Sequence, residues 1–226
     1  MISVIITGSK GLIGSSITSF LQKQGYYVIE ADLSLGHDLS NEKFVKDYFS
    51  QNKKVNALIN LFALNDHMDS ARSSSKLMDI DLSVFEKYMK INVTSLFSVC
   101  REFARNNNGG SIVNFTSTYG VGSPYPFLYH GGEKNIAYGV SKAAVIQLSK
   151  HLAVHLAPDF RVNCILPGGV KHKQPQTFQD EYVKLTPLGR MMNVNELNGL
   201  VKFLISDESS YCTGSVYSID GGWTAW

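Results

Sequence analysis

The chain has 226 residues, a formal net charge of +2, and 44% hydrophobic against 18% charged residues. That length suffices for one sizeable α/β core, and so small a charge excludes an electrostatic case for nucleic acid or a membrane surface as partner. Cys100, Cys164 and Cys212 match neither a zinc spacing nor a dense disulfide framework, so free thiols and no metal site are expected. No apolar run reaches membrane-spanning length and the chain opens directly on a strand-like run, which leads to the expectation of a cytoplasmic protein.

Strand-length apolar runs occur at Ile2–Thr7, Tyr26–Glu30, Val55–Leu61, Ser111–Thr116, Phe160–Leu166 and Ser215–Ile219. Runs this continuous predict strands covered on both faces. Helical patterns fall between them near Leu12–Gln24, Ser83–Arg105, Ala137–Ala157 and Val194–Ile205. Ser83 followed by Glu86 fits a capping box for the second. The alternation predicts a doubly wound parallel α/β sheet in one domain spanning 1–226. About five residues separate Asp32 from the next candidate strand end, Gly36–Leu39, whereas a parallel crossover through a helix needs a dozen or more. A helix is therefore expected to be missing after the second strand.

Gly8, Gly11 and Gly14 lie three apart where the first strand meets the first helix. A turn and a phosphate cradle both fit such a triplet. In the second reading Gly8 allows the tight turn, Gly11 the approach of a pyrophosphate, and Gly14 close packing of helix on strand. Asp32, at the end of the second apolar run, could accept the two hydroxyls of an adenosine ribose and repel a 2′-phosphate, favouring NAD(H) over NADP(H). An exposed loop acid is the alternative.

Tyr138 and Lys142 are four apart and share a helix face. An ammonium beside a phenol favours the phenolate; lowering the phenol pKa by about three units corresponds to roughly 4 kcal/mol. Such a tyrosine could exchange a proton with an alcohol near neutral pH. Ser117 follows a strand's carboxyl end, where ligands gather in open α/β sheets.

With these pieces in order, "TGSKGLIG", "NVTSLF", "GSIVNFTS", "YGVSKAA", "RVNCILPGG" and "PLGRM…SIDGG" resemble the short-chain dehydrogenase/reductase family over nearly the whole chain. The resemblance implies a Rossmann-type sheet of about seven strands and hydride transfer between a nicotinamide and an alcohol or carbonyl. It implies Tyr138 as general acid/base and Lys142 as the residue that holds the nicotinamide ribose and depresses the tyrosine pKa. Ser117 is implied to bind the substrate oxygen, and Asn92 to hold a water in a relay through Lys142. Thr7, Gly8, Ser9, Gly11, Leu12, Ile13 and Gly14 would line the pyrophosphate, Asp38 and Leu39 would border adenine, Asn60 would begin the segment under the cofactor, and Pro167, Gly168 and Val170 would meet the nicotinamide edge. Taken singly, Asn92 also reads as a polar helix residue, Ser117 as a cap and Lys142 as a solvated lysine. A homodimer or homotetramer built on the helices carrying Asn92 and Tyr138 is implied as well.

The chain departs from the family pattern in several places. The glycines follow Gly-x-x-Gly-x-x-Gly, usual in longer sugar-nucleotide epimerases and dehydratases. "NLFA" at Asn60–Ala63 replaces Asn-Asn-Ala-Gly, so packing beneath the cofactor is expected to differ, and His172 stands where a threonine often meets the nicotinamide amide. The interval from Ser117 to Tyr138 is longer than usual and carries Tyr125, Phe127, Tyr129, His130 and Lys134. Loops 118–137 and 167–190 are expected to bind substrate, the first as a cap over a ring or as an outer loop or subunit contact. A lengthened, Gly-Gly-bearing segment resembles members linked to bacterial surface-sugar synthesis, suggesting a phosphorylated or nucleotide-linked sugar. A non-catalytic NAD(H)-binding regulator or scaffold, and an epimerase or dehydratase that recycles bound NAD, are the alternatives.

Overall fold

A computed structural model describes residues 2–65, 77–129 and 132–226. Six strands form one parallel sheet: β1 (Ser3–Thr7), β2 (Tyr27–Ala31), β3 (Ala57–Asn60), β4 (Gly110–Phe115), β5 (Phe160–Pro167) and β6 (Val216–Ile219), in the order β2-β1-β3-β4-β5-β6. The six apolar runs are all strands, with boundaries shifted by a residue or two. The helices are α1 (Leu12–Lys23), α2 (Glu42–Gln51), α3 (Leu82–Met89), α4 (Leu96–Asn106), α5 (Ile136–His155), α6 (Gln176–Lys184) and α7 (Asn198–Ile205).

Successive residues of each strand face opposite sides, and both sides are apolar. Ile5, Leu58, Ile112 and Val162 pack against α2, α4 and α5 through Val45, Phe49, Val99, Phe103 and Val145. Val4, Ile6, Ile59, Val113 and Ile165 pack against α1 and α7 through Ile17, Leu21, Val201 and Leu204. Burial on both faces explains why the strands read as continuous apolar runs. The chain reverses its winding between β1 and β3, and the carboxyl ends of those strands open on that switch point, where open α/β sheets bind ligands.

The sheet holds six strands among the described residues, where about seven were implied. No strand forms at Gly36–Leu39. A 3-10 turn at Leu33–Leu35 follows β2, capped by Asp32, with Gly36 at φ +80°. The chain then enters α2, where Asn41 accepts the Phe44 N–H at 3.2 Å. Ten residues cannot hold both a helix and a strand, so the expected missing helix takes its strand with it and leaves β2 at the edge. His37, Phe44 and Tyr48 pack together there, with ring centroids 5.3–5.7 Å apart.

The long pattern at Ser83–Arg105 is α3, a π-helical stretch at Lys90–Ser95, and α4. Its cap is Asp81 rather than the expected Ser83: the Asp81 carboxylate accepts the Ser83 N–H at 2.7 Å. Asp81 sits one residue before the helix, where a short acceptor meets the orphan amides. Asp81→Ala is expected to lower stability by about 1 kcal/mol, and Ser83→Ala by much less, in chemical denaturation.

Candidate active site

At the end of β1 the chain turns at Gly8, with φ +69°. A Cβ on Gly8 would stand 2.5 Å from the Phe62 nitrogen, and one on Gly14 only 2.1 Å from the Gly8 carbonyl oxygen. Both glycines are required by the fold itself. Gly11 is different: its nearest neighbour to an added Cβ is the Gly8 oxygen at 3.4 Å, so its lack of a side chain leaves space for something else. It is the N-cap of α1, and no side chain caps that end. The Ser9 hydroxyl is buried with no partner among the described residues. Free amides at a helix start, beside a spare hydroxyl, fit the pyrophosphate of NAD(P). Leu12, Ile13 and Gly14 carry the first amides of this helix.

Asp32 is held in the adjoining turn. Its carboxylate accepts the Lys10 N–H at 3.0 Å, the Ser34 N–H at 2.9 Å and the Ser34 hydroxyl at 2.7 Å. Partial burial pushes its pKa up, but these bonds and the Lys10 charge outweigh it and hold the group below its usual range. Lys10 Nζ also pairs with Glu30 at 2.6 Å. Asp38 accepts from the Ser40 N–H and hydroxyl at 2.9 and 2.7 Å, while Leu39 is buried in the core beside α2. The bulky "NLFA" side chains do not crowd the groove: Leu61 enters the core of one sheet face and Phe62 that of the other.

A buried polar row runs across the sheet one layer below. Thr7, Asn60 and Asn114 are register partners on β1, β3 and β4. The Thr7 hydroxyl donates to Asn60 Oδ1 (3.0 Å), Asn60 Nδ2 to Asn114 Oδ1 (2.8 Å), and Asn114 Nδ2 to Ser149 Oγ on α5 (2.9 Å). Thr7 and Asn60 therefore spend their side chains inside the sheet. Asn114 and Ser149 were not anticipated, although an asparagine inside an apolar run was a visible signal.

Tyr138 and Lys142 lie one turn apart on α5, both buried. Ser117 hydrogen-bonds Tyr138 and also accepts the Tyr119 N–H at 3.2 Å, so it is at once the phenol's partner and a cap. Lys142 Nζ donates to the Phe115 carbonyl at 2.9 Å and stands 5.9 Å from the Tyr138 ring centroid. The expected drop in the phenol pKa is not found. Burial pushes Tyr138 up to about 12 against the lowering effect of Ser117, and burial pulls Lys142 down to about 8. Removing two neighbouring groups from water favours the neutral form of each.

Asn92 lies in the π-helical stretch, a geometry often found at functional sites. Its amide bridges two elements: Oδ1 accepts the Leu64 N–H (2.7 Å), and Nδ2 donates to the Leu64 carbonyl (3.0 Å) and to Ser141 Oγ (2.9 Å).

Of the longer 118–137 segment, Tyr125 and Phe127 are exposed, Leu128 is buried, and His130 lies outside the described residues. Tyr129 donates to the Tyr119 hydroxyl at 2.7 Å and packs on Phe178 of α6. Lys134 Nζ stands 4.6 Å from the Tyr138 ring centroid and donates to Asn65. Pro167 ends β5; beyond it the Gly168 N–H donates to the Ile219 carbonyl (3.0 Å), Val170 bridges Met192, and His172 is exposed, its N–H bound by Gln174 at 2.8 Å.

The Lys142 shift has a consequence for stability. Between about 8 and 10.5 the unfolded chain binds this proton more tightly than the folded one, so the wild type gains stability as pH rises through that window. Lys142→Met removes the effect. Against that variant the wild type is expected to gain on the order of 3 kcal/mol between pH 7 and 11, read from denaturation midpoints.

A family model described as Enoyl-(Acyl carrier protein) reductase matches residues 3–224. The chain is 31% identical over 247 residues to the 3-oxoacyl-(acyl-carrier-protein) reductase FabG of Chlamydia muridarum, covering 97% of this chain and 96% of that protein. It is 29% identical to the D-xylose 1-dehydrogenase of Caulobacter vibrioides, covering 97% and 94%. The crystal structure of a short chain dehydrogenase from Leptospira borgpetersenii with bound NAD+ superposes with a TM-score of 0.84 at 30% identity, covering 99% of this chain and 92% of that one. These similarities span the nucleotide-binding turn, the α5 pair and the carboxyl-terminal strand together. The chain belongs to the short-chain dehydrogenase/reductase family, as an NAD(P)-binding oxidoreductase of alcohols and ketones.

Proposed function

We propose that the protein interconverts a secondary alcohol and a ketone on a sugar that carries an anionic group, using NAD(H), with Tyr138 as proton donor and acceptor. The observation that carries this reading is the buried Tyr138 phenol, bonded to Ser117 and followed one helical turn later by Lys142. Bound NAD(H) supplies or takes up the hydride. In reduction, Tyr138 Oη gives its proton to the carbonyl oxygen, which Ser117 Oγ–H holds by a hydrogen bond. A phenol raised to about 12 is protonated at neutral pH and ready to donate. The phenolate left behind is stabilised by the nearby Lys142 ammonium and regains its proton from solvent, with Asn92 holding the neighbouring backbone. Oxidation reverses these transfers and needs the phenolate first.

Several features support the finer points. The uncapped α1 and the open Gly11 suit the pyrophosphate, with Thr7, Gly8 and Ser9 shaping the turn. The Asp32 carboxylate, held ionised, disfavours a 2′-phosphate. Asp38 and Leu39 would border adenine, Asn60 would lie under the cofactor, and Pro167, Gly168 and Val170 would meet the nicotinamide. Lys134 beside the Tyr138 ring suits a phosphate or carboxylate on the substrate, and relatives that act on sugars, such as the D-xylose 1-dehydrogenase, point the same way. The 1–226 chain works as one catalytic unit with loops 118–137 and 167–190 around the substrate. Helices α4 and α5 flank an apolar groove of about 670 Å³ containing Phe97, Leu148 and Leu152, which suits a second copy in a homodimer or homotetramer. Three unpaired cysteines agree with a reducing, cytoplasmic setting.

Three measurements test this reading. Tyr138→Phe is expected to retain cofactor binding and lose at least a hundredfold in turnover; turnover within threefold of wild type would remove Tyr138 from its role and revive a binding-only protein. In the wild type, oxidation is expected to speed up as pH rises from 8 towards 11, because only the phenolate accepts a proton, while reduction changes little because the phenol stays mostly protonated over that range. NADH is expected to bind more tightly than NADPH, with Asp32→Ser narrowing the gap, as followed by fluorescence titration.

A further inference from the structure

The Gly168–Gly169 step after β5 is clamped from several sides. A Cβ on Gly168 would stand 2.8 Å from Asp220 Cα. The Gly169 carbonyl accepts the Met192 N–H at 3.0 Å, while the Gly169 N–H donates to the Tyr182 hydroxyl at 2.6 Å. A Cβ on Gly169 would lie 2.6 Å from the Tyr182 ring. Tyr182 comes from α6 and is buried. Its ring stacks on Trp223 with centroids 4.1 Å apart at 14°, and lies 5.8 Å from Phe178. Trp223 is carried on the turn after β6, where Asp220 accepts the Gly222 and Thr224 N–H groups at 3.0 and 2.9 Å. The carboxyl-terminal turn thus grips a phenol, and the phenol grips one peptide of the segment after β5.

We propose that Tyr182 is a positioning residue for the nicotinamide end of the cofactor, acting through the Gly169 peptide and itself held by Trp223; this rests on the reading of Pro167–Val170 as the nicotinamide edge. A two-glycine segment has many backbone states open to it. A phenol that is immobile in its aromatic stack selects the one state in which Gly169 N–H points at the Tyr182 hydroxyl, and so sets the backbone of Val170 and its neighbours. The β1–α1 turn, which would hold the ADP half, lies across the sheet from these groups, with β3 and β4 between β1 and β5. The role therefore predicts a loss confined to one end of the cofactor, which general loosening of the fold would not give.

The test compares Tyr182→Phe, which keeps the ring and removes only the acceptor of the Gly169 N–H, with Trp223→Phe and Trp223→Ala. Wild type and variants are titrated with whichever of NADH and NADPH the wild type binds more tightly, and with the matching ADP-ribose, 2′-phosphorylated in the NADPH case. Tyr182→Phe is expected to weaken the dinucleotide roughly fivefold to tenfold, the size of one lost hydrogen bond, and to change ADP-ribose by less than about twofold. Trp223→Ala is expected to reproduce that selective loss and Trp223→Phe, which keeps a stacking ring, to restore most of it. Equal losses for both ligands, or no loss for either, would overturn the proposal. A wild type that binds ADP-ribose no differently from the dinucleotide would leave the nucleotide site standing and overturn the role of the nicotinamide clamp. A wild type that binds neither would overturn the cofactor reading itself.

Discussion

The hydrogen-bonded row from Thr7 through Asn60 and Asn114 to Ser149 is the constraint on which the site depends. It sits at the carboxyl ends of three strands and ends on α5, the helix of Tyr138 and Lys142. Leaving any one of these buried groups unpaired costs about 1–3 kcal/mol, so the row is formed as a whole or not at all. Sliding any strand by one residue would turn its member to the opposite face. The row thereby locks the β1–α1 turn, the end of β3 and α5 into one register. Apolar packing on both faces holds the sheet together, but it would tolerate more than one arrangement of the sheet's end.

Around this row the fold spends stability where chemistry needs it. Lys142 is buried beside Tyr138, and each is pushed towards its neutral form by loss of water. The cost is borne by the cores on either face and by local bonds such as Lys142 to the Phe115 carbonyl. Asn92 and Asp81 illustrate two uses of a short polar side chain on one helical run. Asp81 satisfies an amide at the helix start, whereas Asn92 reaches out of the helix to hold the Leu64 backbone. The segment between Ser117 and α5 is tied to α6 by Tyr129 and Phe178, and α6 to the carboxyl-terminal turn by Tyr182 and Trp223. Both loops flanking the site thus share one aromatic wall.

Much of this was legible in the residues. Strand runs were read correctly because burial on both faces makes them continuous, and α1, α5 and α7 because their apolar spacing is helical. The glycine triplet was legible because Gly14 packs on the Gly8 carbonyl a few residues away and Gly8 turns the chain at positive φ, whereas the contact of Gly8 with Phe62 comes from a distant strand end. Tyr138, Lys142 and Ser117 were legible as a set from family order. The amphipathic α2 and α6 were passed over, being short and rich in polar residues.

What the sequence determined, then, is the local part: which runs are strands, where the longer helices lie, and which residues form the α5 pair. Tertiary structure alone decided the rest. Whether Asp32 is an exposed acid or a bonded cap depends on Lys10 and Ser34 folding onto it. That the strand at Gly36–Leu39 is absent depends on Asp32 capping a turn and Asn41 starting α2 too soon. The direction of the Tyr138 shift depends on burial, a sum over every surrounding element that no spacing of residues contains. The contact of Tyr182 with Gly169 joins residues 13 apart through a stack on Trp223, 41 further along. Such contacts are set by how the sheet and its loops close in space, and pattern along the chain carries no record of them.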